Sequence, residues 1–126
     1  MTDLVRSLGL SASGMEAQAN RLRHVSENIA NADTPGYRRK SVGFRAEMQT
    51  GQVGLGPVRL DRAPLDRIFE PGHPMADESG HYDGSNVDLV IELADAREAQ
   101  RSYEANLKMF DQARQMTQSL LELLRK

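Results

Sequence analysis

The sequence predicts a mainly α chain: long N- and C-terminal helices packed as a coiled-coil-like pair, with a small β-hairpin and loop region between them. Three observations carry this. Apolar residues recur at seven-residue intervals from Met1 to Ile29. A stripe spaced by threes and fours runs from Leu89 to Leu124 without a Gly or Pro. Between them the pattern changes to short alternating pieces broken by Gly and Pro. The organisation expected is an axial helix and turn over 1–36, a hairpin or loop region over 37–85 and a second axial helix over 86–126.

In the N-terminal segment, Met1, Leu8, Met15, Leu22 and Ile29 form one heptad seam. Leu4 and Val25 lie on the alternate seam, diluted by Ser11 and Gln18. Such a repeat over residues 4 to about 31 points to coiled-coil packing. Gly9 and Gly14 each cost roughly 1 kcal/mol in a helix interior. Two explanations are open for them. Ser13-Gly14-Met15-Glu16 has the form of a capping box, so the helix restarts at Ser13; or the small residues at Gly9, Ser11, Ala12, Ser13 and Gly14 let another helix approach closely. Asn31-Ala32-Asp33-Thr34-Pro35-Gly36-Tyr37 ends the helix. Pro35 drives Thr34 out of the helical region, and Pro35-Gly36 suits the centre of a type II turn.

In the middle, Val42 and Phe44, Val53 and Leu55, and Val58 and Leu60 alternate, with Gly51, Gly54, Gly56 and Pro57 between them. One or two small hairpins that need a helix to pack against are expected, with a further strand at Leu65, Ile68 and Phe69. Arg38-Arg39-Lys40 with Arg45 is too short a basic field for nucleic-acid binding and reads as a solvated turn whose charges meet acidic neighbours. His73, Asp77, Glu78, His81 and Asp83 are the one cluster of metal-ligating types, and their spacing matches no known ligand pattern; they read as a polar loop.

The C-terminal segment opens with cap-forming residues, Ser85-Asn86-Val87-Asp88. Its stripe includes Leu93, Ala96, Ala99, Tyr103, Leu107, Phe110, Ala113 and Leu121. Arg125 and Lys126 suit the negative end of the helix dipole.

Composition narrows the function. With three Phe, three Tyr and no Trp in 126 residues, large aromatic anchors are scarce and a thick core is not expected. No Cys excludes disulfides, thiolate zinc and cysteine nucleophiles. The net charge of −2 gives no pull toward nucleic acid or anionic lipid. No apolar run reaches the ~20 residues a membrane span needs, and the first residues lack the form of a cleavable secretory signal. No Ser/His/Asp order, P-loop or dinucleotide fingerprint is present, so neither an enzyme nor a cofactor is expected. Two helices with a thin middle hide too little surface to be robust alone. The expected remedy is burial against neighbouring chains, with the ends ordering on assembly.

Several segments carry a resemblance. Ser13 to Gln18, Arg21-Leu22 and Ser26-Glu27-Asn28-Ile29-Ala30-Asn31-Ala32-Asp33-Thr34-Pro35-Gly36-Tyr37-Arg38-Arg39-Lys40 resemble the N-terminal signature of bacterial flagellar axial proteins. Glu70 to Asp77, Gly80, Asn86-Val87-Asp88 and Arg101 to Asn106 are similar to the proximal members of the basal-body rod family. The stretch Thr50 to Pro57 is short for that family, and Ser85 stands where its pattern has Pro. The resemblance implies a structural subunit of the bacterial flagellar basal-body rod in the periplasm. It implies export through the flagellar type III channel without a cleaved signal peptide, and helical assembly that helps to transmit motor torque. It implies, as neighbours, FlgB, FlgF, FlgG, the adaptor FliE and copies of the chain itself. The assembly interface expected on this basis comprises Leu8, Met15, Leu22, Asn28, Ile29, Asn31, Leu93, Tyr103, Leu107, Phe110 and Leu121. The competing expectation is a generic cytoplasmic coiled-coil adaptor, which would form a discrete oligomer.

Overall fold

The structure is a computed structural model that describes residues 2–125. Met1, at the head of the N-terminal seam, and Lys126, at the end of the C-terminal segment, lie outside the described residues. The elements run α1 (Thr2–Ala30), β1 (Lys40–Ala46), β2 (Val53–Leu60), β3 (Arg67–Phe69), β4 (His81–Asp83) and α2 (Leu89–Arg125).

α1 is unbroken through Gly14, so no restart occurs at Ser13. The Ser13 hydroxyl instead donates to Leu10 O at 2.8 Å and accepts from the Val53 N–H of β2 at 3.1 Å. The small residues serve close approach. A Cβ on Gly14 would stand 2.6 Å from the Asn106 side chain of α2, and one on Gly9 would stand 3.2 Å from Gln52. After α1, Tyr37 N–H donates to Thr34 O at 3.1 Å while Gly36 has φ +76°. That positive φ is what the third position of a type II turn requires.

β1 and β2 form an antiparallel hairpin from Lys40↔Leu60 to Ala46↔Val53, with a register shift between Val42 and Phe44. β2 is one strand through Gly54, Gly56 and Pro57, where the sequence suggested two pieces. The hairpin lies along α1 and gains its support there, as a two-stranded unit must. β3 and β4 form a second antiparallel pair, Arg67↔Asp83 to Phe69↔His81. The apolar Ile68 and Phe69 announced β3, while Leu65 lies just before it. β4, only His81-Tyr82-Asp83, carries too little pattern to be read from sequence.

α2 begins at Leu89, slightly later than its cap sequence suggested. Asp88 is the cap: its carboxylate accepts from Val90 N–H at 3.0 Å and its carbonyl from Glu92 N–H at 3.0 Å. At about 1.5 Å per residue its 37 residues span roughly 56 Å. The helices are antiparallel, since Gly14 meets Asn106 near their middle and Asn28 meets Glu92 at one end. In that register the last turns of α2 pass the level of Thr2.

Candidate assembly surface

The contact between α1 and α2 is built of small and polar residues. On α1 the buried positions are Ser11, Gly14, Ala17, Val25 and Asn28; on α2 they are Glu92, Ala99 and Ala113. Ser11 and Val25 belong to the diluted seam, with Gly14 and Asn28 on the heptad row beside it. The apolar seam of Leu8, Met15 and Leu22 sits on the flank of that contact, half-buried, and Ile29 is 38% exposed. The sequence thus identified the period but read the apolar row as the seam itself, whereas the structure sets that row at the flank of the contact that the helices make. The reason is steric. A glycine opposite an asparagine and rows of alanine bring the axes close, and large side chains fit only at the margins.

At the shared end of the helices, Asn28 is fully buried and organises a polar junction. Its Nδ2 donates to Lys40 O at 2.9 Å and to Glu92 Oε2 at 3.3 Å. Its Oδ1 accepts from the Tyr37 hydroxyl at 2.8 Å and from Lys40 N–H at 2.9 Å. Glu92, also fully buried, meets the Arg39 guanidinium, which reaches on to Asp95 at 2.7 Å. Arg21 ties the same Asp95 and Glu98 to α1, each at 3.3 Å. A buried carboxylate demands such partners, because an unpaired one costs several kcal/mol. Burial works against the charge of Arg39, but the hydrogen bond and charge of Glu92, with Asp95, outweigh it and hold its pKa above the ordinary value. Burial, which favours the neutral phenol, raises the pKa of Tyr37. The Lys40 partner at 3.0 Å lowers that of Glu27.

Three further residues close the junction. Asn31 donates to Glu27 O at 2.8 Å and accepts from Thr34 Oγ1 at 3.1 Å. The Ser85 hydroxyl donates to Ala32 O, a bond that a proline there could not make. Asn86 accepts from Arg39 N–H at 2.7 Å and donates to Asp61 O at 3.0 Å. Arg39 and Lys40 are therefore not on a freely solvated turn: both pair with acids of their own chain. Sequence reasoning missed Glu92, Asp95 and Tyr37 as parts of this junction. The legible signal was the spacing of Glu92, Ala99, Asn106 and Ala113, a polar and small row at seven-residue steps beside the leucines.

The outer faces are the reverse. Leu93, Leu107 and Leu121 are 54%, 41% and 46% exposed, while Tyr103 and Phe110 are half-buried at the margin. Met116, Leu120, Leu123 and Leu124 are exposed on the final turns of α2, and Leu89, Val90 and Ile91 on its first. The buried apolar side chains among the described residues are only Ala17, Val25, Ala99 and Ala113. Soluble monomers seldom leave so many large apolar side chains exposed along one helix.

The loop histidines have structural partners. His73 stacks on Tyr82 with ring centres 3.9 Å apart, His81 packs on Phe69 at 5.0 Å, and Asp77 accepts from Ser79, Arg67 and His81 N–H. Among the described residues no three His, Asp or Glu side chains come together as a metal site, and no helix is long and apolar enough to cross a membrane.

Comparison with known proteins finds a family match over each of the two helical ends. Residues 8–38 match the family described as flagella basal body rod protein, and residues 78–123 match the flagellar basal body rod FlgEFG protein C-terminal family. The flagellar basal-body rod protein FlgC of Agrobacterium fabrum is 42% identical, over 99% of this chain and 98% of its own length. The protein of the same name from Salmonella typhimurium is 33% identical over 95% and 97%. That from Borreliella burgdorferi is 29% identical over 96% and 97%.

Proposed function

The chain belongs to the FlgC family of flagellar basal-body rod proteins and is a structural subunit of that rod, and from this premise we propose that it assembles helically through the outer faces of α1 and α2. The observation that supports this is the division of the helix pair: a small, polar inner contact and large apolar residues left outside. Leu8, Met15, Leu22 and Ile29 on α1, with Leu93, Tyr103, Leu107, Phe110 and Leu121 on α2, form the interface with neighbouring subunits. Asn28 and Asn31 hold the helix end that presents it. Contacts between unlike faces do not close on themselves and so generate a helical array. Many shared apolar contacts make that array stiff, and stiffness passes motor torque along it.

Within the basal body, the chain occupies the proximal rod in the periplasm. It arrives through the flagellar type III channel without loss of a signal peptide. FlgB, FlgF, FlgG, FliE and further copies of the chain are its neighbours. Its role is mechanical rather than catalytic, and it uses no cofactor. A host lacking the chain should build no complete rod and should regain rods and swimming when the chain is returned. Sedimentation and circular dichroism of the pure chain at micromolar concentration should show a monomer that binds other rod subunits. A sharply melting, discrete dimer indifferent to those subunits would overturn the proposal in favour of a coiled-coil adaptor.

A further inference from the structure

The middle of the chain is electrically divided. Residues 38–62, which make β1 and β2, hold six basic and two acidic residues, a net of +4. Residues 63–88, which make β3, β4 and their loops, hold one basic and six acidic residues, a net of −5. The split is spatial as well as sequential. The hairpin runs back along α1, where Leu10 meets Gly51 and Ser13 meets Val53. The β3–β4 lobe hangs at the turn beyond α1, held by Gly36 N–H to Asp83 O and Gly84 O and by Ser85 to Ala32. Among the described elements the lobe strands pack on each other and on no helix or hairpin strand.

Arg39 and Lys40 are paired with acids of the helices, and Asp77 and Asp83 with Arg67, but other charges on both surfaces are left without an ion pair. Arg38, Arg45, Arg59 and Arg62 make no ion pair among the described residues, and neither do Asp66, Glu70, Glu78 and Asp88. Each surface also exposes apolar side chains beside its charges. Val58 and Leu60 are 50% and 55% exposed in an open cleft with Arg38, Arg59 and Arg62; Phe69 and Met75 are 64% and 62% exposed on the lobe. An interface with an apolar centre and a complementary charged rim has this composition.

We propose that the basic hairpin of one copy of this chain docks on the acidic β3–β4 lobe of an adjacent copy, a lateral contact separate from the helical faces. The occupant is a second copy because both halves of the charge match are carried by one chain. The contact joins unlike faces, so each subunit keeps one free hairpin or lobe and a row can extend. Charges within about 8 Å are felt at physiological salt, so the match steers neighbours into one orientation as well as holding them. The inference rests on the rod function proposed above.

The test uses two charge-reversal variants of the full chain, Arg59→Glu with Arg62→Glu, and Glu70→Lys with Glu78→Lys, in a host lacking its own copy. The four residues are exposed and make no ion pair, so circular dichroism should show both variants folded. Rods counted in purified basal bodies should fall about tenfold or more with either variant alone, since like charges then face each other. Expressed together, the variants should restore rods, because the acidic hairpin of one meets the basic lobe of the other. Wild-type rod numbers from either variant alone, or no recovery from the mixture of two folded variants, would overturn the inference. If the host needs the chain but either variant fully replaces it, only this contact is lost. If the host builds rods without the chain, the rod function itself fails.

Discussion

The inner and outer faces of the helix pair solve opposite problems. The inner face is small and polar, and it is satisfied within the chain: Asn28 makes four hydrogen bonds, Glu92 has its guanidinium and Gly14 has its asparagine. It fixes geometry and contributes little hydrophobic energy. The outer face is large and apolar, and nothing in the chain covers Leu93, Leu107 or Leu121 fully. A polar residue in a helix seam specifies register at a cost in stability. Here the register is set by the chain itself, while much of the apolar surface stays exposed.

The largest expected effect breaks the outer face alone. Leu107→Asp should leave the helical content of the pure chain unchanged, because residue 107 is 41% exposed. In the rod the same charge would be driven into an apolar contact at a cost of several kcal/mol. Swimming and rod assembly should be lost, as a motility assay and electron microscopy would show; normal rods containing this variant would remove Leu107 from the interface.

Next in size is the inner face. Glu92→Leu deletes the carboxylate that meets Arg39 and Asn28, leaving a half-buried guanidinium and a buried amide short of partners. A loss of about 3 kcal/mol is expected, seen as a lower melting temperature of the isolated chain, where Leu107→Asp shows none. Gly14→Leu ranks third. Its side chain would enter the space of Asn106, and overpacking of this sort costs about 1–3 kcal/mol. An unchanged melting temperature for it would show that the helices do not approach closely there.

This contrast also explains what could be read from the sequence. Both helices, the turn at Pro35-Gly36 and the hairpin strands were legible because periodicity and turn chemistry are local. The partner of each face was not. A heptad row of leucine and methionine looks like a seam from sequence alone, yet the rows that meet α2 are those carrying Ser11 and Val25 and, beside them, Gly14 and Asn28. The choice depends on how closely two helices approach, which one helix's pattern does not encode. The ion pairs of Arg39 escaped for a related reason: Glu92 lies more than fifty residues away, and only the fold brings it near. The alanine and glutamate row of α2 was visible, but its meaning needed its partner.

The smallest expected effect separates the β3–β4 lobe from the helices. The Asp77 carboxylate accepts from the Ser79 hydroxyl at 2.6 Å, from Arg67 at 2.6 Å and from His81 N–H at 3.1 Å, which together hold its pKa well below the ordinary 3.8. A carboxylate whose pKa is depressed by folding stabilises the fold fully above its unfolded value. That contribution fades as pH falls from about 3.8 through the folded pKa. NMR signals of Tyr82 and His81 should therefore report opening of the lobe in acid, and Asp77→Asn should flatten the Asp77-dependent part of that titration. The variant cannot pair with Arg67, so its lobe should already open more often at neutral pH, with helical circular dichroism unchanged. A variant whose acid titration matches that of the wild type would show that Asp77 does not tether the lobe.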